Sequence, residues 1–154
     1  MNVDAERAAA SRSSGQPRHQ GRESALQMLY QWEVGRVPIA EVRERFWIDA
    51  PVEAPAGEDV RAFAMRLADG VAAHVEQIDP VITDATDHWR LERMHVMDRL
   101  ILRIAVYEFL FEPDTPGKVI INEALELART FSAEDSVRFI NGILDAIRRT
   151  RARE

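Results

Sequence analysis

The chain has 154 residues, of which 46% are hydrophobic and 30% are charged, a composition typical of one globular domain of ordinary size. It contains no cysteine, which excludes disulfides, thiol nucleophiles, iron–sulfur clusters and cysteine-bound zinc. No apolar run reaches the roughly 18–20 residues of a membrane-spanning helix, and the first residues lack the apolar stretch of a signal peptide. These features predict a soluble, single-domain protein that resides in the cytoplasm and contacts no membrane.

The net charge of −6 is unevenly distributed along the chain. Residues 1–22 carry four arginines against two acids, residues 148–154 carry four arginines against one acid, and the stretch between them therefore carries −11. An acidic body with two basic ends is typical of tails that contact nucleic acid, or simply of solubilising termini. All but one of the basic residues are arginine, which suits phosphate binding and stacking on bases.

The N-terminal third is predicted to hold a disordered extension and two helices. Residues 1–21 are rich in Ala, Ser, Arg, Gly and Gln, which predicts a disordered basic segment. A helical pattern begins at about Arg22 and is ended by Gly35 and Pro38. Its apolar face comprises Ala25, Leu26, Leu29 and Trp32. The spacing of apolar residues within 39–46 predicts a second, short helix, and the prolines and glycine within 48–57 predict a loop.

The middle of the chain is predicted to form three helices. One apolar stripe continues for more than four turns, longer than a strand can imitate, through Val60, Phe63, Ala64, Leu67, Val71 and Val75. Asp79-Pro80 predicts the start of a short helix, because Asp caps exposed amides and Pro suits the first helical position. Residues 98–110 are apolar on nearly every face, which predicts a central buried helix. Its charged residues Arg103 and Glu108 are expected to form structural ion pairs.

Two further helices complete an all-α prediction of six or seven helices with no strand and no repeat. Two prolines and a glycine in residues 113–117 break the buried helix, and the next helix presents one apolar face that ends at Phe131. Ser132, three residues before Asp135, predicts the capped start of the last helix. Helical spacing continues through Asn141-Gly142, so Gly142 is expected to let another helix or a ligand approach closely.

No catalytic or metal-binding pattern is found in the sequence. The four histidines lack the spacing of a zinc site, and His74 is expected to have a structural role. Asp84 and Asp87 are interpreted as ordinary helix or loop carboxylates. There is no Gly-x-Ser-x-Gly motif and no glycine-rich phosphate loop. Since no nucleophile, base and orienting group occur together, the sequence predicts a protein that is not an enzyme and uses no cofactor and no metal.

Several blocks of sequence, in order and spacing, resemble the NusB family of bacterial transcription antitermination factors. They read RESALQMLYQW at 22–32, WRLERM at 89–94, DRLILRIAVYE at 98–108, KVIINEALELA at 118–128 and SVRFINGILD at 136–145. The resemblance covers about residues 18–148. It implies an all-helical fold of two packed sub-bundles without catalytic activity. The expected organisation is a basic extension at 1–21, a NusB-like RNA-binding domain at 22–149 and a basic C-terminal tail at 150–154.

The resemblance also implies a function. Proteins of this family bind boxA RNA in ribosomal RNA leaders together with NusE, which is ribosomal protein S10, and the complex helps RNA polymerase to resist termination and supports ribosomal RNA maturation. Carried over by position, the RNA surface comprises Arg18, Arg22, Lys118, Asp135, Arg138 and Phe139. Arg and Lys would contact phosphates, and Phe139 would stack on a base. The negative charge of Asp135 would temper RNA affinity, and Asp135 is equally well explained as a helix cap.

The implied partner surface comprises Tyr30 and the neighbourhood of Asp98. Acidic positions suit a basic ribosomal protein, because complementary charge sets the rate and specificity of association. Helix capping is a second, compatible role for Asp98. Family members often begin with a dense arginine-rich run, whereas residues 13–22 contain only Arg18 and Arg22, so the affinity of the lone protein for RNA is expected to be low.

Other interpretations of the same sequence stay open. One is a protein-binding adaptor, or accessory module of ribosomal RNA processing, with little RNA binding of its own. A similar helical domain precedes the catalytic part of some ribosomal RNA cytosine methyltransferases, but a methyltransferase domain is not expected here, because the sequence ends just after the last predicted helix. Some relatives self-associate, and the sequence leaves open whether this protein is a monomer or a homodimer.

Overall fold

A computed structural model describes the backbone of residues 3–49, 57–87 and 90–151, and the side chains of these ranges except residues 3–16 and 49. Within these ranges the chain is all-α, as predicted, with seven helices, one short 3-10 turn and no strand. The elements are α1 (Val3–Gly35), α2 (Ile39–Asp49), α3 (Glu58–Ala73), α4 (Val75–Ala85), the 3-10 turn Leu91–Arg93, α5 (Val96–Phe111), α6 (Gly117–Phe131) and α7 (Glu134–Arg151).

The helices form two packed sub-bundles, which confirms the expected architecture. Helices α1, α2 and α3 pack on one another, and α4, α5, α6 and α7 form the second group. Helix α5 also contacts α1 and α3, so it joins the two sub-bundles. It is buried along nearly its whole length, as its continuous apolar sequence predicts. The α5 residues with almost no exposed surface are Leu100, Ile101, Leu102, Ile104, Ala105 and Val106.

The two ends of the predicted domain are placed differently in the structure. Helix α1 begins at Val3, so the predicted start near Arg22 is wrong. The apolar pattern marks only the part of a helix that packs on its neighbours, whereas an alanine-rich segment favours helix without a packing face. Residues 17–21, predicted to be disordered, lie within α1, and Gly21 is buried against α3. At the other end, α7 includes Thr150 and Arg151, so the helix extends past the predicted boundary at residue 150.

Three local predictions also require correction. Helix α4 begins at Val75, not at Asp79-Pro80, because His74 alone separates it from α3 and helical backbone resumes at once. The predicted single stripe from Val60 to Val75 is therefore divided between two helices. The loop predicted at 48–57 falls mostly outside the described residues, although Ile48 already belongs to α2. Ser132 ends α6 and directs its hydroxyl to Asp98, so it does not cap α7 as predicted.

Gly70 lies at a close contact between two helices, whereas Gly142 lies in open space. A Cβ atom on Gly70 would lie 2.2 Å from the Tyr107 ring, so only glycine lets α3 approach α5 at this point. Around Gly142 nothing lies within 4 Å of the same position, and the residue is exposed. No helix in the described part of the chain approaches Gly142, so the prediction that it lets another helix come close is wrong. The prediction that it lets a ligand come close stays a prediction.

Candidate nucleic-acid interface

The exposed residue Arg18 is held on the surface by an aromatic ring. Its guanidinium lies 4.3 Å from the centroid of the Phe63 ring, which is itself buried in α3. The contact is possible because Gly21 brings α1 close to α3, where a Cβ atom would lie only 2.8 Å from Phe63. A guanidinium stacked on a ring keeps its in-plane N–H groups available, and no acidic side chain in the described ranges forms an ion pair with Arg18. Arg18 is therefore preorganised to donate to an anion.

Arg22 does not lie on this surface, contrary to the role that the resemblance implies. Its side chain is only 3% exposed and donates two hydrogen bonds to Glu108 of α5, from Nε at 2.9 Å and from Nη2 at 2.7 Å. Nη1 also lies 3.6 Å from Glu123 of α6. One helical turn separates Arg22 from Arg18, but Arg22 points into the protein. The Arg22 guanidinium therefore forms a structural ion pair with Glu108 and cannot contact RNA in this conformation.

Lys118 is an exposed residue in the first turn of α6. It forms no ion pair with any described residue, and its neighbour Val119 is also exposed. Further along the same helix, Glu123 contacts His19 of α1 at 2.8 Å. Since a helix rises about 1.5 Å per residue, Lys118 lies about 7–8 Å along the α6 axis from this contact. The fold thus brings Arg18 and Lys118 to adjacent elements, and we call these two residues the α1–α6 patch.

The other three predicted RNA residues form a separate group at the start of α7, which we call the α7 patch. Asp135 lies in the first turn of α7, and both Asp135 and Arg138 are exposed. Phe139 is 37% exposed, which is unusual for so large an apolar side chain and places it at the rim rather than in the core. A groove of about 510 Å³ runs beside this patch, lined by Leu125, Arg129, Ser132, Glu134, Val137, Arg138 and Asn141.

The two patches lie near opposite ends of α6. Lys118 is in its first turn, whereas α7 starts after the two residues that follow its last turn. The 15 residues of α6 extend over about 21 Å at the usual rise per residue. The predicted RNA residues therefore do not form one cluster. An extended single strand of several nucleotides has the length to contact both patches, whereas one phosphate or one base has not.

The two predicted partner residues also differ in their exposure. Tyr30 of α1 is 40% exposed and available to a partner. Asp98 is only 6% exposed, and its carboxylate accepts hydrogen bonds from the hydroxyls of Ser132 and Ser136. Asp98 also does not cap α5, since the cap is His95, whose Nδ1 accepts from the amide of Met97. Asp98 thus connects the start of α5 to the α6–α7 turn, and its role in partner binding stays a prediction.

Sequence reasoning did not identify His19 as a site residue, although it directly follows Arg18 of the α1–α6 patch. Its ring nitrogens lie 2.9 Å from Glu23 and 2.8 Å from Glu123. Burial lowers the pKa of His19, but the hydrogen bond and charge of Glu123, together with those of Glu23, outweigh it and raise the pKa above 6.5. The four-residue spacing of His19 and Glu23 in one helix predicts their contact from the sequence, whereas Glu123 is 104 residues away and no local pattern predicts its contact with His19.

The charges within α5 are paired with other helices. Arg103 makes a bidentate contact with Asp79 of α4, with distances of 2.9 and 3.0 Å, and also contacts Glu33 of α1 at 3.2 Å. Glu108 pairs with Arg22. The expectation that Arg103 and Glu108 form structural pairs is confirmed, with partners from α1 and α4. His74 is structural as well, since its Nδ1 lies 2.8 Å from the carbonyl oxygen of Gly70 and its ring stacks near Phe111.

The described ranges hold no group of three or more His, Asp or Glu side chains that could bind a metal ion. None of the helices in those ranges is both long and apolar enough to cross a bilayer. The arrangement offers exposed cations at Arg18 and Lys118, and a cation, an exposed aromatic ring and a groove at the start of α7.

Comparisons with known proteins identify the family. The NusB family model matches residues 19–149. The transcription antitermination protein NusB of Koribacter versatilis is 45% identical over 132 residues, which cover 86% of this chain and 88% of that protein. A solved NusB structure from T. maritima is 33% identical with a TM-score of 0.76, covering 86% of this chain and 90% of that one. The fold also matches a chain in a crystal structure of antitermination factors NusB and NusE in complex with dsRNA. That match has 23% sequence identity and a TM-score of 0.78, and it covers 88% of this chain and 98% of the other. On the extent and identity of these matches, the chain belongs to the NusB family.

Proposed function

We propose that this protein is a transcription antitermination factor of the cytoplasm that binds boxA RNA of ribosomal RNA leaders together with NusE. In that complex it would act on RNA polymerase and support ribosomal RNA transcription and maturation, without catalysing a reaction. The observation that carries the proposal is the exposed Arg18 guanidinium of α1, which stacks on Phe63. Helix α6, which contacts α1, carries the exposed Lys118, and Lys118 has no ion-pair partner among the described residues. The relatives named as antitermination proteins and the neighbour solved with NusE and RNA support the assignment of partners.

In the proposed complex, each patch makes a different kind of contact. Arg18 and Lys118 donate to phosphates, and their attraction depends on salt because binding releases counterions. Phe139 offers a ring edge and face to an unstacked base, and Arg138 lies beside it at the mouth of the groove. Asp135 stands in the same patch and lowers the local attraction for phosphate. Few cations and one acid predict weak binding by the lone protein.

NusE supplies what the lone protein lacks. The body of this chain carries −11 between residues 23 and 147, so its overall field repels RNA and only local contacts attract it. A basic ribosomal protein docked beside the exposed Tyr30 would reduce that repulsion and lengthen the cationic track. RNA and NusE should therefore bind with positive coupling.

We expect saturating NusE to tighten boxA RNA binding by about 5–150-fold, the ordinary range of coupling between sites. Titration of labelled boxA RNA with the protein alone and with NusE measures this ratio, and Tyr30→Ala should reduce it while leaving binding by the lone protein unchanged. Equal affinities with and without NusE would contradict partner-dependent binding. Negligible RNA affinity in both titrations, with NusE still bound, would instead favour the adaptor function.

Lys118→Glu should weaken RNA binding without unfolding the protein, because the side chain is exposed and has no partner among the described residues. The logarithm of affinity should depend less steeply on the logarithm of salt, by about 0.7 for each phosphate of a single strand that the variant no longer neutralises. A suitable control is Arg45→Glu on α2, which changes the net charge equally at an exposed residue outside both patches. The same decrease in affinity in both variants would assign the effect to net charge and not to the patch.

A further inference from the structure

The ring of His19 is positioned between two carboxylates. Nε2 lies 2.9 Å from Oε1 of Glu23, and Nδ1 lies 2.8 Å from Oε2 of Glu123. An ionised carboxylate only accepts hydrogen bonds, so both ring nitrogens must donate to satisfy the two contacts. A neutral imidazole has a single N–H group and would direct a lone pair at one of the carboxylates. The arrangement is therefore complete only when His19 is an imidazolium cation.

This cation connects two helices that otherwise touch little. Helix α1 packs mainly on α3, and its contact with α6 is small. His19 and Glu123 make a direct side-chain contact between α1 and α6, which Arg22 supplements at 3.6 Å from the same Glu123 oxygen. The position of α6 relative to residues 19–22 of α1 thus depends on charges meeting at Glu123.

The contact joins the two helices that carry the α1–α6 patch. His19 directly follows Arg18 in α1, and Glu123 is five residues after Lys118 in α6. The side chains of His19 and Glu123 remain about one quarter exposed, so protons exchange freely with solvent. Loss of the proton would loosen the connection between the helices and would leave Arg22, at 3.6 Å, as the nearest cation to Glu123 among the described residues.

We propose that His19 is a positioning residue of the α1–α6 patch: its imidazolium clamps Glu123 and holds together the two helices that carry Arg18 and Lys118, and RNA binding weakens when His19 loses its proton. The inference rests on the RNA-binding function proposed above. Several other charged groups surround the clamp: Glu23 and Arg22 on α1, Glu123 on α6, Glu108 on α5 behind Arg22, and Arg18 and Arg66 over the Phe63 ring of α3.

The sign of the pH effect follows from the raised pKa of His19. A group whose folded-state pKa exceeds its unfolded value stabilises the fold fully below the unfolded value, near pH 6.5, and this stability is lost as the pH rises through the folded-state pKa. The clamp should therefore be more fully formed at pH 6.0 than at pH 8.5.

The test is a titration of boxA RNA, in the presence of NusE and at constant ionic strength, at pH 6.0 and 8.5. We expect wild-type affinity to fall by at least about fivefold at the higher pH, the lower end of ordinary coupling between sites. His19→Arg keeps a cation that does not titrate, and it should bind well at both pH values. His19→Gln keeps the size and polarity without the charge, and it should bind weakly at both.

Glu123→Gln separates positioning from direct contact with RNA. If the cation of His19 acts only by touching a phosphate, removing the charge of Glu123 strengthens RNA binding, and this result would overturn the proposal. If His19 positions the patch through Glu123, the same change weakens binding. Circular dichroism of each variant at both pH values establishes that the helices are intact.

The outcomes distinguish the clamp from the proposed function. Absence of RNA binding by the wild type at pH 6.0 would contradict the RNA-binding function itself. Wild-type binding that does not change with pH, or a pH effect that persists in His19→Arg, would contradict the clamp alone. The clamp can also be tested without RNA, by measuring the free energy of unfolding. This free energy should be larger for wild type than for His19→Gln at pH 6.0, and the difference should be smaller at pH 8.5.

Discussion

Replacing Arg22 with leucine should destabilise the protein by about 3–5 kcal/mol, the range measured when one partner of a buried ion pair is removed. Arg22 and Glu108 are 3% and 1% exposed, and two short hydrogen bonds join them. Leucine fills part of the space but leaves the Glu108 carboxylate buried without its bidentate donor. The free energy of unfolding in urea, with far-UV circular dichroism as the signal, measures the change.

Arg18→Leu, one turn away, is the matched control. Arg18 is exposed and has no ion-pair partner in the described ranges, so its replacement should change stability by no more than about 0.5 kcal/mol while it weakens RNA binding. Arg22→Glu would bring a second carboxylate against Glu108, and any decrease in RNA binding would follow from unfolding. Equal stability of the Arg18 and Arg22 variants would contradict the structural assignment of Arg22.

Asp98→Lys should destabilise the protein to a similar extent, about 3–5 kcal/mol, because it places an unpaired cation where a buried carboxylate accepts two hydroxyl hydrogen bonds. The hydroxyls of Ser132 and Ser136 would be left without their acceptor, and the α6–α7 turn would no longer be tied to α5. Thermal unfolding of the variant and wild type measures the effect.

Asp135→Lys makes the same substitution at an exposed acid in the first turn of α7. It should cost only about 0.3–1 kcal/mol, the usual effect of a charge at a helix terminus. If Asp98→Lys left stability unchanged and reduced only NusE binding, Asp98 would be a surface contact after all. The comparison therefore distinguishes the structural role seen here from the partner role that the resemblance implies.

The fold was largely predictable because apolar periodicity reports which helix faces are buried. The continuous apolar run of α5 predicted its central position, and the single faces of α6 and α7 predicted their packing. Boundaries were less predictable. Helix α1 extends beyond its packed face, and the α3–α4 junction is one histidine with no glycine or proline to mark it.

Burial of individual charged residues was not predictable from local pattern. Arg18 and Arg22 are both arginines four residues apart in one helix, yet one is exposed and the other is buried. The difference depends on Glu108, which is 86 residues away in sequence. Asp98 is a similar case, since its hydroxyl donors are 34 and 38 residues distant. Position in a family motif indicates that such a residue matters and leaves open whether it binds a partner or supports the fold.

The polar pairs of α5 make the two sub-bundles one cooperative unit of unfolding. Glu108 takes its counterion from α1, and Arg103 takes its counterions from α1 and α4. The sub-bundle of α4–α7 alone would keep Glu108 without Arg22, and the sub-bundle of α1–α3 alone would keep Arg22 without Glu108. A buried charge that loses its counterion is highly unfavourable in an apolar interior. Partly unfolded states that keep only one half are therefore suppressed. An apolar interface of equal size would permit the halves to slide or separate more gradually, whereas these pairs restrict them to one relative position.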